Sequence, residues 1–516
     1  MLARTVAGVS ARRRSILVGV LQLYFYWALL ILVILYVPNS IWNPATHELL
    51  TALGVLALWR YGWWAVHVVR GWIFTRRVYP RMRVAADQAW ALERPRTVQF
   101  MMTTFRERPD ITRAVLRAIS DECAAIGARG QLFIGTGSYE DEQVIGEFIA
   151  SGSGQWLDAI LVRQSAPGKR MAIGAALRAM ARRGVDGDAP VVFMDGDAIL
   201  DRDSLRKCLA LMLANPNLSA LTTNEKATVL GPRWIQDWLD LRFAQRHLGM
   251  CSHALSNKVL TLTGRMSVLR AKHVTQRDFI RLIESDHLDH WLWGRFRFLS
   301  GDDKSSWYWL LKHDAKMTYV PDAMVYTIEK AGESGLDYIK HTLLRWSGNM
   351  MRNGYRALQL GPRKVGIFIW WCLLDQRMAV ITSLVGPLLA ILTAIMVTPL
   401  FLLVYLIWIA FTRMVVALFL FPHAGYINLK FPFLLFGGQV LNAALKVYLW
   451  FRLPKQRWKN RGNQRTATGI GWAALLRDGM ASYLTLLLVM AVSVAIAFYA
   501  DFLRLPSLVT VQTLWR

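Results

Sequence analysis

The chain has 516 residues, is 54% hydrophobic, contains 22 Trp, and still carries a formal net charge of +26. That length exceeds one ordinary hydrophobic core, so two or more structural units are expected. A soluble domain rarely joins that apolar fraction to that charge, whereas a membrane protein with basic cytoplasmic flanks does so routinely, and the long apolar runs argue against nucleic acid as the partner.

In chain order, residues 16–37 (ILVGVLQLYFYWALLILVILYV) form an uncharged run long enough to cross a hydrocarbon layer of about 30 Å. The run is longer than a signal-peptide core, and no small-residue cleavage site follows it promptly. A second span is expected at about 49–69, interrupted by Arg60. Arg4, Arg12, Arg13 and Arg14 precede this pair, and Arg70, Arg76, Arg77, Arg81 and Arg83 follow it. Positive charge on both outer flanks of a hairpin (residues 1–75) places both flanks in the cytoplasm.

From about 90 to 360 the pattern is that of a soluble domain. Strand-like runs at 97–105, 131–137, 159–164 and 190–197 alternate with helical patterns near 110–126, 140–150 and 168–184. This order predicts an α/β domain with a mostly parallel sheet and ligands at the carboxyl ends of its strands. GTGSYE (135–140) has Glu140 where a dinucleotide fingerprint needs glycine, so a plain strand–helix turn is expected there.

VVFMDGDAIL (191–200) is a buried strand that ends in two carboxylates flanking a glycine. Like charges side by side are costly unless something positive lies between them. A divalent cation bridging Asp195, Asp197 and a diphosphate resolves the conflict; a solvated turn is the alternative. Lys169 and Arg170 open the preceding helix, where a pyrophosphate gains from both cations and the helix N-terminus. Thr103, Thr104 and Glu107 follow the first strand, where a nucleoside can be held. FLSGDDKSSW (298–307) adds Asp302 and Asp303 beside Lys304, and HTLLRWSGN (341–349) places Arg345 and Trp346 where the membrane runs resume. ESDHLDH (284–290) mixes metal-ligating residue types, but a surface helix with satisfied histidines is the expected reading.

Beyond the domain, residues 364–374 read as an interfacial stretch, and spans are expected at about 378–398, 400–421, 431–451 and 479–500. The basic segment near 452–470 should be cytoplasmic, yet three spans from a cytoplasmic start end outside. One of the three is therefore interfacial or re-entrant, or the charge rule fails. Cys123, Cys208, Cys251 and Cys372 form no C-x-x-C pair, which suggests neither a disulfide framework nor a zinc site.

DGD, then GDD, then an Arg-Trp pair ahead of membrane spans resembles the membrane-bound processive glycosyltransferases of family two, which include cellulose, chitin and hyaluronan synthases. LRFAQRHLGMCSHALSNKVLTLTGRMSVLRA (241–271) and FRFLSGDDKSSW (296–307) resemble the alginate-polymerase branch. The resemblance implies a GT-A-type nucleotide-sugar domain inserted between transmembrane helices of the bacterial inner membrane, with the catalytic domain cytoplasmic. It implies Mg²⁺ or Mn²⁺ on Asp195 and Asp197, Asp303 or Asp302 as general base, and Arg345 and Trp346 as the end of a Q-x-x-R-W motif. Thr342 stands in the Gln position, and the second strand ends in Gly135-Thr136 where the family carries an aspartate pair. The implied donor is GDP-mannuronate, with a UDP-hexose next, and the product a polysaccharide translocated across the membrane. Arg265 and Lys304 are candidates for an added uronate carboxylate, and Trp346 for stacking on the acceptor sugar. RGNQR (461–465) matches only the Arg-x-x-x-Arg half of a cyclic-di-GMP-binding PilZ module, so such control is expected through a partner protein.

Overall fold

The structure, a computed structural model, describes residues 12–39, 48–332, 334–458, 464–465, 471–499 and 503. Helices α1 (Arg12–Tyr36) and α2 (Glu48–Ile73) come first; a π turn (Phe74–Val78) joins α2 to α3 (Tyr79–Leu92). The α/β region follows as β1 (Thr97–Thr104), α4 (Pro109–Ile126), β2 (Arg129–Thr136), α5 (Tyr139–Ala150), β3 (Leu157–Arg163), α6 (Lys169–Arg182), β4 (Pro190–Asp195), β5 (Ile199–Leu200) and α7 (Ser204–Ala214). It continues through β6 (Leu218–Leu230), α8 (Arg233–Ala254), β7 (Met266–Arg270), α9 (Ala271–Val274), α10 (Arg277–Glu284), β8 (His287–His290), β9 (Gly294–Arg297), α11 (Asp302–Lys312), β10 (Lys316–Lys330) and α12 (Gly335–Gln359). The last elements are α13 (Gly361–Val365), α14 (Ile367–Met396), α15 (Leu400–Ala424), α16 (Phe431–Trp450), the short pair β11 (Arg457–Trp458) and β12 (Gln464–Arg465), and α17 (Trp472–Tyr499).

The chain divides into two units: Met1–Val66, Gln376–Arg452 and Gly471–Arg516 form one, and His67–Asp375 with Leu453–Ile470 the other. In the second, eight strands run in the order β3-β2-β1-β4-β7-β6-β10-β5. Strands β3, β2, β1 and β4 pair in parallel, so their carboxyl ends share one edge. β7 reverses direction between β4 and β6. β1 is buried at every position but its first, as a strand covered on both faces should be. α6 lays Ala172, Ile173, Ala176, Leu177 and Met180 on the core at helical spacing. It approaches β2 so closely that a Cβ on Gly135 would lie 2.3 Å from the Ala172 carbonyl oxygen. Close helix–strand packing therefore requires glycine where the resemblance leads one to look for a carboxylate.

Among the described residues five helices are long and apolar enough to cross a membrane: Val18–Tyr36, Ile367–Met396, Leu400–Ala424, Phe431–Trp450 and Trp472–Phe498. Most of the stretch 364–374 and the expected span that follows it lie in one 30-residue helix, α14. Its start is set by Gly366 at φ +89°, and the chain from Ile367 to Val385 contains neither Gly nor Pro. The second expected span, about 49–69, falls within α2, a 26-residue helix that carries Arg60. Within the first unit, Leu30 of α1 and Val37 just beyond its end pack on Val404 and Ile407 of α15, and the Tyr26 hydroxyl donates to the Ala410 carbonyl at 2.9 Å. The Arg413 guanidinium lies 5.8 Å from the Tyr61 ring, which spreads its charge over an aromatic face.

Candidate active site

β4 ends in Asp195, and the next backbone N–H, that of Gly196, donates to the Thr103 carbonyl of β1 at 3.0 Å. A Cβ on Gly196 would stand 2.7 Å from that same oxygen. Only glycine lets the two carboxylates flank so tight a turn. Gly196→Ala should push β1 and β4 apart at their active ends, costing roughly 1–3 kcal/mol by overpacking. Loss of glycosyl transfer together with a lowered Tm in detergent is the expected result.

The positive partner of Asp195 is Lys169, the first residue of α6. Its side chain is 7% exposed, and Nζ lies 2.6 Å from Asp195 Oδ1 and 2.9 Å from Asp302 Oδ2. One ammonium thus joins the DGD and GDD motifs. Gly264 closes the other side, where a Cβ would be 3.1 Å from Asp195 Oδ2. Asp197 has its own cation within electrostatic reach, Arg265. Lys169, Asp195, Thr263, Gly264 and Asp303 line one cleft with an apolar floor that includes Met101 and Ile173.

Asp302 and Asp303 open α11, where the helix N-terminus favours negative charge. Gly301, at φ +86°, turns the chain into them, and a Cβ there would strike Asn349 at 2.8 Å. Their environments separate the two carboxyls. Burial pushes Asp302 up, but Lys169 and Arg170 outweigh it and hold the group below the ordinary carboxylate range. Asp303 is pushed up to about 6, first by burial and then by the charge of Asp302, with Lys304 and Lys169 only partly opposing. Two adjacent carboxyls driven apart in this way are the signature of divided roles.

Several expected ligands are committed elsewhere. Arg170 is buried and donates to the carbonyls of Ile283 and Ser300 at 2.9 and 3.1 Å and to Ser305 Oγ at 3.0 Å. It braces the loop that carries Gly301 rather than facing the cleft, because its long side chain points across α10 and α11. Lys304 turns away too: Nζ donates to the Leu260 carbonyl at 2.7 Å, and burial lowers the ammonium to about 8. Arg265 is paired with Glu225 at 3.2 Å and Glu329 at 3.0 Å, so its charge is already matched by two carboxylates from β6 and β10. Thr103 and Thr104 are both buried; Thr104 gives its hydroxyl to the loop after β1, while Thr103 Oγ1 has no hydrogen-bond partner among the described residues.

That loop is anchored by Asp141, which the sequence reading missed. Its carboxylate accepts from Thr104 Oγ1 at 3.0 Å and from the backbone N–H groups of Arg106 and Glu107 at 2.7 and 3.2 Å. The only signal was its position one residue beyond GTGSYE. Glu107 is thereby fixed through its backbone. On α12, Trp346 stacks on Trp238 with ring centres 6.3 Å apart and planes 9° apart. Arg345 lies within electrostatic reach of Tyr338, whose hydroxyl donates to Glu329 at 3.3 Å. Among the described residues, neither Arg345 nor Trp346 lines the Lys169 cleft.

ESDHLDH is not a helix. Residues 287–290 form one strand of a hairpin with β9, while Asp286 is buried and accepts two bonds from Arg356 at 2.6 and 2.8 Å. The half-motif RGNQR lies mostly outside the described residues, as do Arg4 and most of the basic loop after Trp458.

The family model described as "Glycosyltransferase like family 2" matches residues 95–349, from the start of β1 to the Arg345-Trp346 segment. Glycosyltransferase alg8 of Pseudomonas syringae pv. tomato is 37% identical over 87% of this chain and 92% of its own length. The protein of the same name from Azotobacter vinelandii is 34% identical over the same shares. The chain belongs to glycosyltransferase family 2. A solved mannosyltransferase from Pyrobaculum calidifontis, in complex with GDP-Man and Mn²⁺, is similar over 75% of this chain and 99% of its own, at 14% identity and a TM-score of 0.39. The chain is thus a glycosyltransferase with a GT-A-like domain, and every residue lining the Lys169 cleft falls within the matched segment 95–349.

Proposed function

We propose that this glycosyltransferase polymerises mannuronate from GDP-mannuronate and extrudes the chain, the observation that carries it being a single buried ammonium clamped between the DGD and GDD carboxylates with a near-neutral Asp303 beside it. Asp303 acts as general base. Its carboxylate takes the proton of the acceptor hydroxyl as that oxygen bonds to the anomeric carbon from the face opposite the diphosphate. The bond from the anomeric carbon to the diphosphate oxygen breaks, GDP leaves with the electron pair, and configuration inverts. Lys169 holds Asp302 ionised, and that charge helps keep Asp303 basic enough to accept a proton. Thr103, Thr104, Glu107 and Asp141 shape the loop on which the nucleoside rests.

Asp195 and Asp197 offer hard carboxylate oxygens at a strand end, and Asp195 Oδ2 faces a glycine that leaves room beside it; this donor set fits Mg²⁺ or Mn²⁺. When bound, such an ion neutralises charge on the leaving diphosphate. Asp197→Asn is expected to abolish transfer while the protein stays folded in membranes. Normal polymer yield from that variant with either cation would remove Asp197 from the metal site.

The donor reading rests on the similarity to the relatives named glycosyltransferase alg8 and on the 241–271 and 296–307 stretches. The catalytic unit faces the cytoplasm of the inner membrane, the membrane supplies the path for the polymer, and cyclic-di-GMP control comes from a PilZ-bearing partner. Leu453 accepts from Arg352 at 3.0 Å, and Gln456 bonds Leu299 N and the Arg297 carbonyl at 2.9 Å each. These bonds hold the start of the basic segment near 452–470 on the catalytic unit, as expected of a cytoplasmic loop. Membranes incubated with each sugar nucleotide, with released nucleotide measured, test the donor. GDP from GDP-mannuronate is expected; UDP from UDP-glucose with no GDP release would overturn it.

A further inference from the structure

Away from the cleft, three metal-ligating side chains converge inside the catalytic unit. His67 comes from the end of α2, His253 from the end of α8 and Cys372 from the second turn of α14. One ligand atom from each lies within 4.8 Å of the other two. His253 and Cys372 are 8% and 3% exposed. Among the described residues His253 Nδ1 has no hydrogen-bond partner although it is buried, which costs free energy unless something else satisfies it. His67 Nδ1 lies 2.9 Å from Ser252 Oγ. When Nδ1–H donates to that oxygen, the tautomer is fixed with the lone pair on Nε2, the way outer partners commonly orient a ligating imidazole. The two imidazoles meet edge to face with centres 5.4 Å apart.

The nearby Arg70 does not close the site to a cation. Its guanidinium lies 3.6 Å over the Phe368 ring and donates to the Ser252 carbonyl at 3.2 Å and Ser256 Oγ at 2.6 Å. Asp375, buried one turn beyond Cys372 and within its electrostatic reach, supplies a compensating negative charge.

We propose that His67, His253 and Cys372 form a binding site for a zinc-class transition-metal ion that staples α2, α8 and α14 together. Two imidazoles and a thiolate suit that class, whereas Mg²⁺ and Mn²⁺ prefer the oxygen donors of Asp195 and Asp197. On binding, the Cys372 thiol releases its proton to solvent and the sulfur lone pair bonds the metal. The chain leaves α8 directly into the segment that carries Thr263 and Gly264 to Asp195, so the staple would set the frame of the active cleft without touching substrate.

Full-length protein purified in detergent with Mg²⁺ present should retain roughly stoichiometric zinc by elemental analysis, and His253→Gln and Cys372→Ser should each lose it. Cobalt exchanged into the wild type should give a near-ultraviolet thiolate-to-metal charge-transfer band that Cys372→Ser lacks. Should either variant fail to fold, chelation of the wild type decides: a lowered Tm restored by zinc but not by Mg²⁺ supports the site. Wild type that holds no zinc and shows no cobalt band, or zinc equally retained by both variants, overturns it. Both readouts are independent of the donor sugar, so they stand or fall separately from the proposed polymerisation.

Discussion

Asp303→Asn is expected to lower turnover by roughly 10²–10⁴-fold, the usual share of a general base, while donor binding is unchanged. The amide keeps the shape and still accepts the backbone N–H of Lys304, now 2.8 Å from Oδ1, but cannot take a proton. Turnover and donor titration in nanodiscs check this; collapse of donor affinity along with rate would make Asp303 a nucleotide ligand instead. The wild-type rate should fall as pH drops below about 6, because the base must be ionised and its carboxyl is pushed up to about 6. Stability runs the other way. A carboxyl raised by folding contributes its stability in the protonated form, fully present below its unfolded value and lost as pH rises through about 6. At neutral pH the ionised group is a net cost, so Asp303→Asn should raise Tm rather than lower it, a trade of stability for activity.

Lys169→Met should be the most destabilising change at the site. The ammonium is the cation shared by Asp195 and Asp302, and removing one member of a buried pair leaves its partner uncompensated, costing up to about 3–5 kcal/mol. Asp195 keeps a quarter of its side chain exposed and recovers part of this through water. Asp302 does not, and its carboxyl should rise. Lys169 also opposes the rise of the Asp303 carboxyl, so with the cation gone whatever activity survives should show its acid limb at higher pH than wild type, alongside a lowered Tm. An unmoved limb with lowered rate would mean that Lys169 acts on the donor alone and does not set the charge of the carboxyl pair.

The part of the fold nearest the chemistry was the most legible. Period-two and continuous apolar runs bounded by Gly and Asp located β1 to β4 within a residue or two, and the charge conflict in VVFMDGD pointed to the strand end where Lys169 meets Asp195. What could not be read is which cation faces which carboxylate. Lys169 and Arg170 are neighbours in sequence, yet a helix turns successive side chains about 100° apart, so one enters the cleft and the other the α10–α11 junction. Arg265 looked available because its partners Glu225 and Glu329 arrive on strands distant in sequence. ESDHLDH carries no breaker, and its hairpin is imposed by tertiary contacts, Asp286 being drawn inward by Arg356. The three ligands of the proposed staple sit in three different helices, a spacing no C-x-x-C rule detects.

The length distribution of labelled product from a single donor addition tests the central claim most directly. Membranes carrying the wild-type protein, given labelled GDP-mannuronate at low enzyme occupancy, should yield long water-soluble chains from the earliest time points, with none from Asp303→Asn. Label confined to an organic-soluble lipid bearing one sugar would contradict the polymerase reading and leave a glycosyltransferase that decorates a lipid acceptor.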